Sequence, residues 1–148
     1  MIEFGDYWAH AHDTEQILFM SLAPIFINSS PALSSVSWLQ EWKTYWLDHR
    51  KRHANGCSDI DLARFLDSDE KLRQFRDFLT QYKAWLQQYG EAIPANEINT
   101  ILDPGPWGAR YLESCPVKYL LDFAAKIEDV IDGKLENGAV QRKPRNSA

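Results

Sequence analysis

Residues 69–90 read DEKLRQFRDFLTQYKAWLQQYG, the most regular apolar pattern in the chain. Its large apolar and aromatic residues recur three and four positions apart over three heptads, a spacing that places them on one face of an α-helix. Phe78 and Trp85 widen this face beyond the two positions per heptad of a dimeric coiled coil. We therefore expect the central helix of a bundle. The predicted face consists of Leu72, Phe75, Leu79, Tyr82, Leu86 and Tyr89.

Shorter apolar patterns and capping residues predict helices on both sides of this stretch. Asp13 can cap the first helix, with Gln16 at its third helical position. The second helix should bury one face that holds Trp38, Trp42, Tyr45, Trp46 and His49. The predicted helices cover about residues 6 or 13 to 24, 35 or 37 to 55, 58–66, 69–90, 94–102 and 116–132. Residues 28–31 and 103–108 should be irregular, and residues 4–8 could form a short extended arm.

The predicted fold class is all-α, an irregular bundle of five or six helices in a single domain. No alternating apolar run is bounded by hairpin turns, and no repeat has a solenoid period. A length of 148 residues fits one domain, and an aromatic fraction of 13% can fill its core. We expect the helical domain to cover residues 1–135 and a flexible basic tail to cover residues 136–148, because the tail offers no apolar face.

The composition favours a cytoplasmic protein that binds neither a membrane nor a cofactor. The N-terminus carries acids where a signal peptide needs a basic region, and the apolar run over residues 17–27 is broken by Ser21 and Pro24. The two cysteines, Cys57 and Cys115, are too few for a disulfide framework or a zinc site. We expect both to be small buried apolar residues.

The charge is unevenly distributed along the chain. The formal net charge is −5 with a pI of about 5.3, and the residues from 134 onward carry +3, which leaves −8 on residues 1–133. Such an acidic body does not suit a protein that mainly binds nucleic acid. It suits a basic protein partner, although many bacterial proteins are acidic for solubility alone.

The densest acidic cluster places five carboxylates within twelve residues, interrupted only by Arg64. These acids could form a face for a basic partner, and Trp107, between proline and glycine, could be an exposed anchor beside them. The alternative is that the acids stabilise helix N-termini and that Trp107 covers the end of the bundle. The predicted partner-binding residues are Asp59, Asp61, Asp67, Asp69, Glu70 and Trp107.

The leading functional hypothesis is a non-enzymatic acidic domain that neutralises or escorts a basic protein. Bacterial immunity proteins, inhibitors of the antitoxin type and secretion adaptors have this size and composition. The likeness is one of size and charge, not of motif.

The four histidines suggest an alternative, a small helical metal-dependent enzyme. They fall in two pairs, His10 with His12 and His49 with His53. Residues four apart share a helix face, so the second pair could bind one metal ion, with Asp13 or Glu15 adding a carboxylate. Against this, cationic side chains are favoured at the C-terminal end of a helix in any case.

Other chemistry has weaker support in the sequence. No nucleophile elbow, phosphate-binding loop or His-Glu-x-x-His pattern occurs. Basic residues at 50–52 and 142–145 are the only features that favour a nucleic-acid-associated regulator, and on a helix the first three would spread around the axis. We therefore predict no catalytic residue and no cofactor.

Overall fold

The computed structural model describes residues 1–52, 60–102, 110–135 and 139–144, and within these ranges the side chains of residues 49–52 and Asp61 lie outside the description. This part of the chain is mostly helical and carries small β-sheets. The elements in chain order are β1 (Ile2–Phe4), β2 (Tyr7–Ala9), α1 (Asp13–Ser29), α2 (Pro31–Ser34), α3 (Ser37–Arg52), β3 (Ile60–Asp61), α4 (Asp69–Gln87), β4 (Ala92–Ile93), α5 (Ala95–Leu102), β5 (Cys115–Pro116), α6 (Val117–Asp132) and β6 (Val140–Arg142).

Helix α4 carries a buried face, as its apolar pattern predicts. It begins behind the cap residue Ser68, whose hydroxyl accepts a hydrogen bond from the Lys71 backbone N–H at 3.2 Å. Leu72 and Tyr89, near the two ends of the predicted face, are half-buried against the same core. The fully buried residues of α4 are Phe75, Phe78, Leu79, Tyr82 and Leu86.

Phe19 of α1 lies where four helices meet. Its ring centroid is 4.8 Å from that of Trp46 on α3, 5.4 Å from that of Tyr82 on α4 and 5.5 Å from that of Phe123 on α6. All three pairs are edge-to-face, the arrangement that the charge distribution of aromatic rings favours. The aromatic residues of α1, α3, α4 and α6 therefore form one continuous core.

Helix α1 is longer than the sequence predicts, because it continues through Pro24 to Ser29. Proline removes one backbone donor and usually ends a helix. Here Phe26 and Ile27, beyond the proline, are buried in the core. Burial of these two side chains requires the helix to continue, and this outweighs the lost hydrogen bond. The expected end at Pro24 is therefore wrong.

The start of α1 also differs in its capping residues. The cap residue is His12, and the carboxylate of Glu15, at the third helical position, accepts a hydrogen bond from the His12 backbone N–H at 2.8 Å. Gln16, expected at that position, is instead buried, and its amide donates to the Ala11 carbonyl at 3.1 Å. The cap thus lies one residue earlier than predicted.

A four-stranded sheet in the order β3-β1-β2-β6 shows that the purely all-α expectation is wrong, although the mostly helical one is confirmed. Strands β1 and β2 form an antiparallel hairpin through Gly5, whose φ is +58°. Strand β3 pairs in parallel with β1, and β6 pairs antiparallel with β2. Strands β4 and β5 form a second, two-stranded sheet.

The prediction of a helix over residues 58–66 is wrong, because residues 60–66, the part of this range that the structure describes, contain no helix. Ile60 and Asp61 form β3, where Ile60 pairs with Ile2, and a turn follows. Ile60 and Leu62 are both buried. Their spacing of two residues is the period of a strand, in which alternate side chains share a face.

The expected flexible tail also differs from the structure over residues 139–144. Val140 is buried, and β6 continues the sheet beside β2. Lys143 donates its backbone N–H to the Asp6 carbonyl at 2.7 Å, and its ammonium group contacts the Glu3 carboxylate at 2.6 Å. This segment is therefore attached to the N-terminal hairpin, because one apolar residue and two basic ones find partners there.

Candidate functional site

Three of the predicted partner-binding residues lie together at the beginning of α4. Asp67, Asp69 and Glu70 are all exposed and surround the cap residue Ser68. Asp69 and Glu70 occupy the first turn, where the helix dipole stabilises negative charge. We call these three carboxylates the acidic end. Helix capping explains why acids occur here, and their exposure leaves them accessible to a partner.

Asp67 is already paired within the acidic end. Its carboxylate lies 3.0 Å from the Lys71 ammonium group, one turn along the chain. A hydrogen bond from Lys71 and the positive charge of that side chain lower the pKa of Asp67. The pair is exposed to solvent, so it contributes little to stability. Lys71 reduces the negative potential of the acidic end without cancelling it.

The other predicted partner-binding residues are not brought to this position by any described contact. Asp61 belongs to β3, but its side chain lies outside the description. Asp59 and Trp107 lie outside the described residues altogether. The proposed contribution of Trp107 therefore stays a prediction.

An open groove lies between α3 and the turn that follows β3, and the sequence does not predict it. Its volume is about 520 Å³, and we call it the aromatic groove. The Arg64 guanidinium carbon lies 4.5 Å from the ring centroid of Tyr45 and 5.9 Å from that of Phe65, within the range of cation–π attraction. Among the described residues, the groove is lined by Gln40, Glu41, Thr44, Tyr45, Arg64 and Phe65.

The turn after β3 positions the second wall of the groove. Leu62 and Leu66 are buried, and the Leu66 backbone N–H donates to the Leu62 carbonyl at 2.9 Å. The Leu62 N–H donates in turn to the Glu3 carbonyl at 3.2 Å on β1. With both leucines fixed in the core, Arg64 lies exposed and Phe65 half-buried at the surface.

The acidic end follows the aromatic groove closely along the chain. Asp67 follows Phe65 by two residues, so at most about 7 Å of backbone separates them. Glu41 in the groove adds a fourth carboxylate to the three of the acidic end. With Arg64 in the groove and Lys71, which pairs with Asp67, these six side chains carry a net charge of −2. The sequence indicates the acids but not the groove, because the spacing of the aromatic residues predicts that Tyr45 lies on the buried face of its helix.

The histidines expected to bind metal are only partly described. The His10 and His12 rings are exposed and edge-to-face, with centroids 4.9 Å apart. The His49 side chain and His53 lie outside the description, so convergence of the two pairs stays a prediction. Within the described ranges, no group of three or more His, Cys, Asp or Glu side chains is placed to hold a metal ion. Glu15, a suggested ligand, accepts instead from the His12 backbone and pairs with Lys126 at 3.2 Å.

The basic tail residues that favoured nucleic acid are compensated where they are described. Lys143 contacts Glu3, and the Arg142 guanidinium lies 3.9 Å from the Asp6 carboxylate. The side chains of residues 50–52 lie outside the description. The described contacts thus give these two cations a role in holding β6 to the hairpin.

Comparisons with protein-family models, curated proteins and solved structures give no match for this chain. Among the described residues, the helices include none with the length and apolar character needed to cross a membrane. A functional proposal therefore depends on the chemistry of the surface itself.

Proposed function

We propose that this chain is a non-enzymatic domain that binds a basic protein and thereby neutralises or escorts it, as immunity proteins, antitoxins and secretion adaptors do. The observation that carries the proposal is that the exposed acidic end begins two residues after Phe65, which lines the aromatic groove. The acids would attract the partner, and the groove would receive one of its apolar or cationic side chains.

The two parts supply different components of binding. Exposed carboxylates speed the encounter with a basic surface but add little affinity once the complex has formed. Affinity comes mainly from a few anchors packed in apolar pockets, where aromatic residues and arginine are over-represented. Tyr45, Phe65 and Arg64 are of these types, and they line the aromatic groove. This combination supports a protein partner better than it supports a small polar substrate.

Differential capture tests the proposal. The immobilised wild-type domain, an Asp67→Lys variant and an Asp122→Lys control of equal charge change are each exposed to a lysate of the source cells. We expect the wild type and the control to retain the same basic protein and the charge-reversed variant to lose it. Retention of that protein by all three would reject the acidic end as the binding surface. A retained partner with an acidic surface would reject the proposed function.

A further inference from the structure

His10 and His12 lie on the short segment that connects β2 to α1. His12, the cap residue of α1, has an extended backbone with a φ of −72° and a ψ of 149°. Burial alternates along this segment. Ala9 and Ala11 are buried. His10 and His12 are exposed. Because alternate side chains of an extended chain project to the same side, both imidazoles face solvent from one side of the segment.

The backbone of this segment is held at both ends. Ala9 pairs with Val140 in the four-stranded sheet. The side-chain amide of the buried Gln16 donates to the Ala11 carbonyl at 3.1 Å, and the Gln16 backbone N–H donates to the His12 carbonyl at 3.1 Å. A backbone that is fixed in advance loses little conformational entropy when its side chains bind a ligand. The two histidines are therefore presented in a defined relative position.

The distance between the two rings matches the distance between two imidazoles that bind one metal ion. The centroids of the His10 and His12 rings are 4.9 Å apart. A metal ion about 2.0–2.1 Å from a ring nitrogen lies about 3.2 Å from the centroid of that ring. Two such ligands, at about 90° in a square-planar site or about 109° in a tetrahedral one, have centroids about 4.5–5.2 Å apart. Rotation about each Cβ–Cγ bond keeps the centroids nearly in place and turns the nitrogens toward a shared ion.

The charges around the two rings permit a cation to bind. The N-terminal end of α1 carries a partial positive charge, which by itself opposes a cation. Asp13 and Glu15 lie in this first turn. The Glu15 carboxylate is paired with the Lys126 ammonium group at 3.2 Å, whereas Asp13 is exposed and directly follows His12. The carboxylate of Asp13 thus offsets the charge of the helix end.

We propose that His10 and His12 together bind one divalent transition-metal ion, with water completing its coordination. Imidazole nitrogen suits copper, nickel and zinc, whereas Mg²⁺ and Ca²⁺ prefer oxygen ligands. Among the divalent ions of the first transition row, Cu²⁺ forms the strongest complexes with such ligands. Two protein ligands leave the ion accessible and exchangeable, unlike a closed structural zinc site with four. The site shares no residue with the acidic end or the aromatic groove, so it does not depend on the function proposed above.

Titration of the full chain with single metal ions tests the proposal. Cu²⁺, Zn²⁺ and Mg²⁺ are each added in a buffer that does not coordinate metals, and binding is followed by calorimetry. We expect one Cu²⁺ ion of highest affinity per chain, weaker binding of Zn²⁺ and none of Mg²⁺. The electron paramagnetic resonance spectrum of the bound Cu²⁺ should show coupling to two imidazole nitrogens. Absence of saturable Cu²⁺ binding, or binding of Mg²⁺ as tight as that of Cu²⁺, would overturn the proposal.

Matched variants test the ligands and their spacing. His10→Asn and His12→Asn each remove one imidazole, and asparagine at position 12 remains a good helix cap. Each should weaken Cu²⁺ binding by at least about tenfold, since even the loss of an outer hydrogen-bond partner of a metal ligand costs that much. The variant His12→Asn/Asp13→His keeps four histidines but changes the spacing from two to three, and it should bind as weakly as His12→Asn. Unchanged Cu²⁺ affinity in both single variants would overturn the assignment, and thermal unfolding without metal checks that each variant folds.

The other histidines of the chain and a second copy are the competing sources of ligands. The control His49→Asn/His53→Asn removes the second pair, whose side chains lie outside the described part of the chain. Unchanged affinity for the tightest Cu²⁺ ion in this control supports a site made by His10 and His12, and loss of that ion would overturn it. Sedimentation with Cu²⁺ tests the second copy. A monomer at full occupancy supports the proposal, whereas one ion per metal-dependent dimer would overturn it.

Discussion

Asp67 and Asp122 carry the same charge in nearly the same local setting. Each forms an ion pair with a lysine one turn along the chain, Lys71 at 3.0 Å and Lys118 at 2.6 Å, and the two carboxylate side chains are 64% and 63% exposed. Such exposed pairs contribute little to stability. The two differ in their surroundings, because only Asp67 belongs to the acidic end. Comparison of the two positions therefore separates the effect of location from that of charge.

Charge reversal at the acidic end should slow association with a basic partner. The variant Asp67→Lys, which changes the net charge by +2 as Asp122→Lys does, is expected to reduce the association rate several-fold at low salt and to show a weaker salt dependence than the wild type. Asp122→Lys should leave the rate nearly unchanged. Stopped-flow association with the captured partner measures the rates, and thermal unfolding of each variant checks the fold. Equal rates for both variants would mean that the partner binds elsewhere.

Gly133 is needed for two reasons at the end of α6. Its φ of +64° is a left-handed conformation, and a Cβ atom there would lie 2.7 Å from the ring of Tyr7. Gly90 has a φ of +82° with open space around it, so it shares the conformation without the contact. We expect Gly133→Ala to lower the free energy of unfolding by about 1 kcal/mol more than Gly90→Ala, as crowding adds to strain.

Denaturant unfolding of both glycine variants measures the difference. The extra loss of unfolding free energy caused by Gly133→Ala should disappear in a Tyr7→Ala background, because the ring that would clash with the new Cβ atom is then absent. An equal loss of unfolding free energy in Gly133→Ala and Gly90→Ala would show that the Tyr7 ring moves aside freely.

At the level of elements, the long helices were predictable and the short elements were not. Helices α4 and α6 have sustained apolar faces, and both form close to the predicted bounds. Strand β3 has only two residues, which is too short for an alternating apolar pattern to appear in the sequence. Its extended conformation depends on its pairing with β1. Helix α1 continues to Ser29, and Phe26 and Ile27 beyond Pro24 are buried. The rule that proline ends a helix considers only neighbouring residues, so it does not take this burial into account.

The central role of α4 gives a direct test at this scale. Leu79 is completely buried, and Leu79→Ala should lower the free energy of unfolding by about 2–5 kcal/mol, the cost of a cavity in a packed core. Leu112→Ala, at a leucine that is 95% exposed, should change it by less than about 0.5 kcal/mol. Denaturant unfolding compares the two. A loss of unfolding free energy in Leu79→Ala as small as that in Leu112→Ala would contradict the observed packing.

At the level of the whole molecule, sequence reasoning found the charges of the candidate surface but not its shape. The density of acids in the chain indicates Asp67, Asp69 and Glu70, and these three lie together because they are close in sequence. The aromatic groove joins Tyr45 to Phe65 across twenty residues, and that contact exists only after α3 and the turn have packed. A smaller cavity, of about 280 Å³, likewise joins Thr14 to Tyr111 and Tyr119.

The four-stranded sheet connects distant parts of the chain in the same way. Strand β1 begins at residue 2, β3 lies near residue 60, and β6 lies near residue 140, so no local window contains two paired strands other than the hairpin. Val140 is the one buried apolar residue of β6. A single apolar position gives no periodic signal, which explains why composition alone predicted a solvated tail.

Removal of β6 should therefore destabilise the whole molecule, contrary to what the tail composition predicts. A chain that ends at Gly138 loses the burial of Val140, the pairing with β2 and the contacts of Lys143 with Glu3 and Asp6. We expect the free energy of unfolding to fall by about 2 kcal/mol, the order of one buried valine with its strand. A chain that ends at Pro144 keeps every one of these contacts and should unfold like the full chain. Thermal unfolding compares the three lengths, and equal melting temperatures for all of them would show that β6 adds nothing to the stability of the sheet.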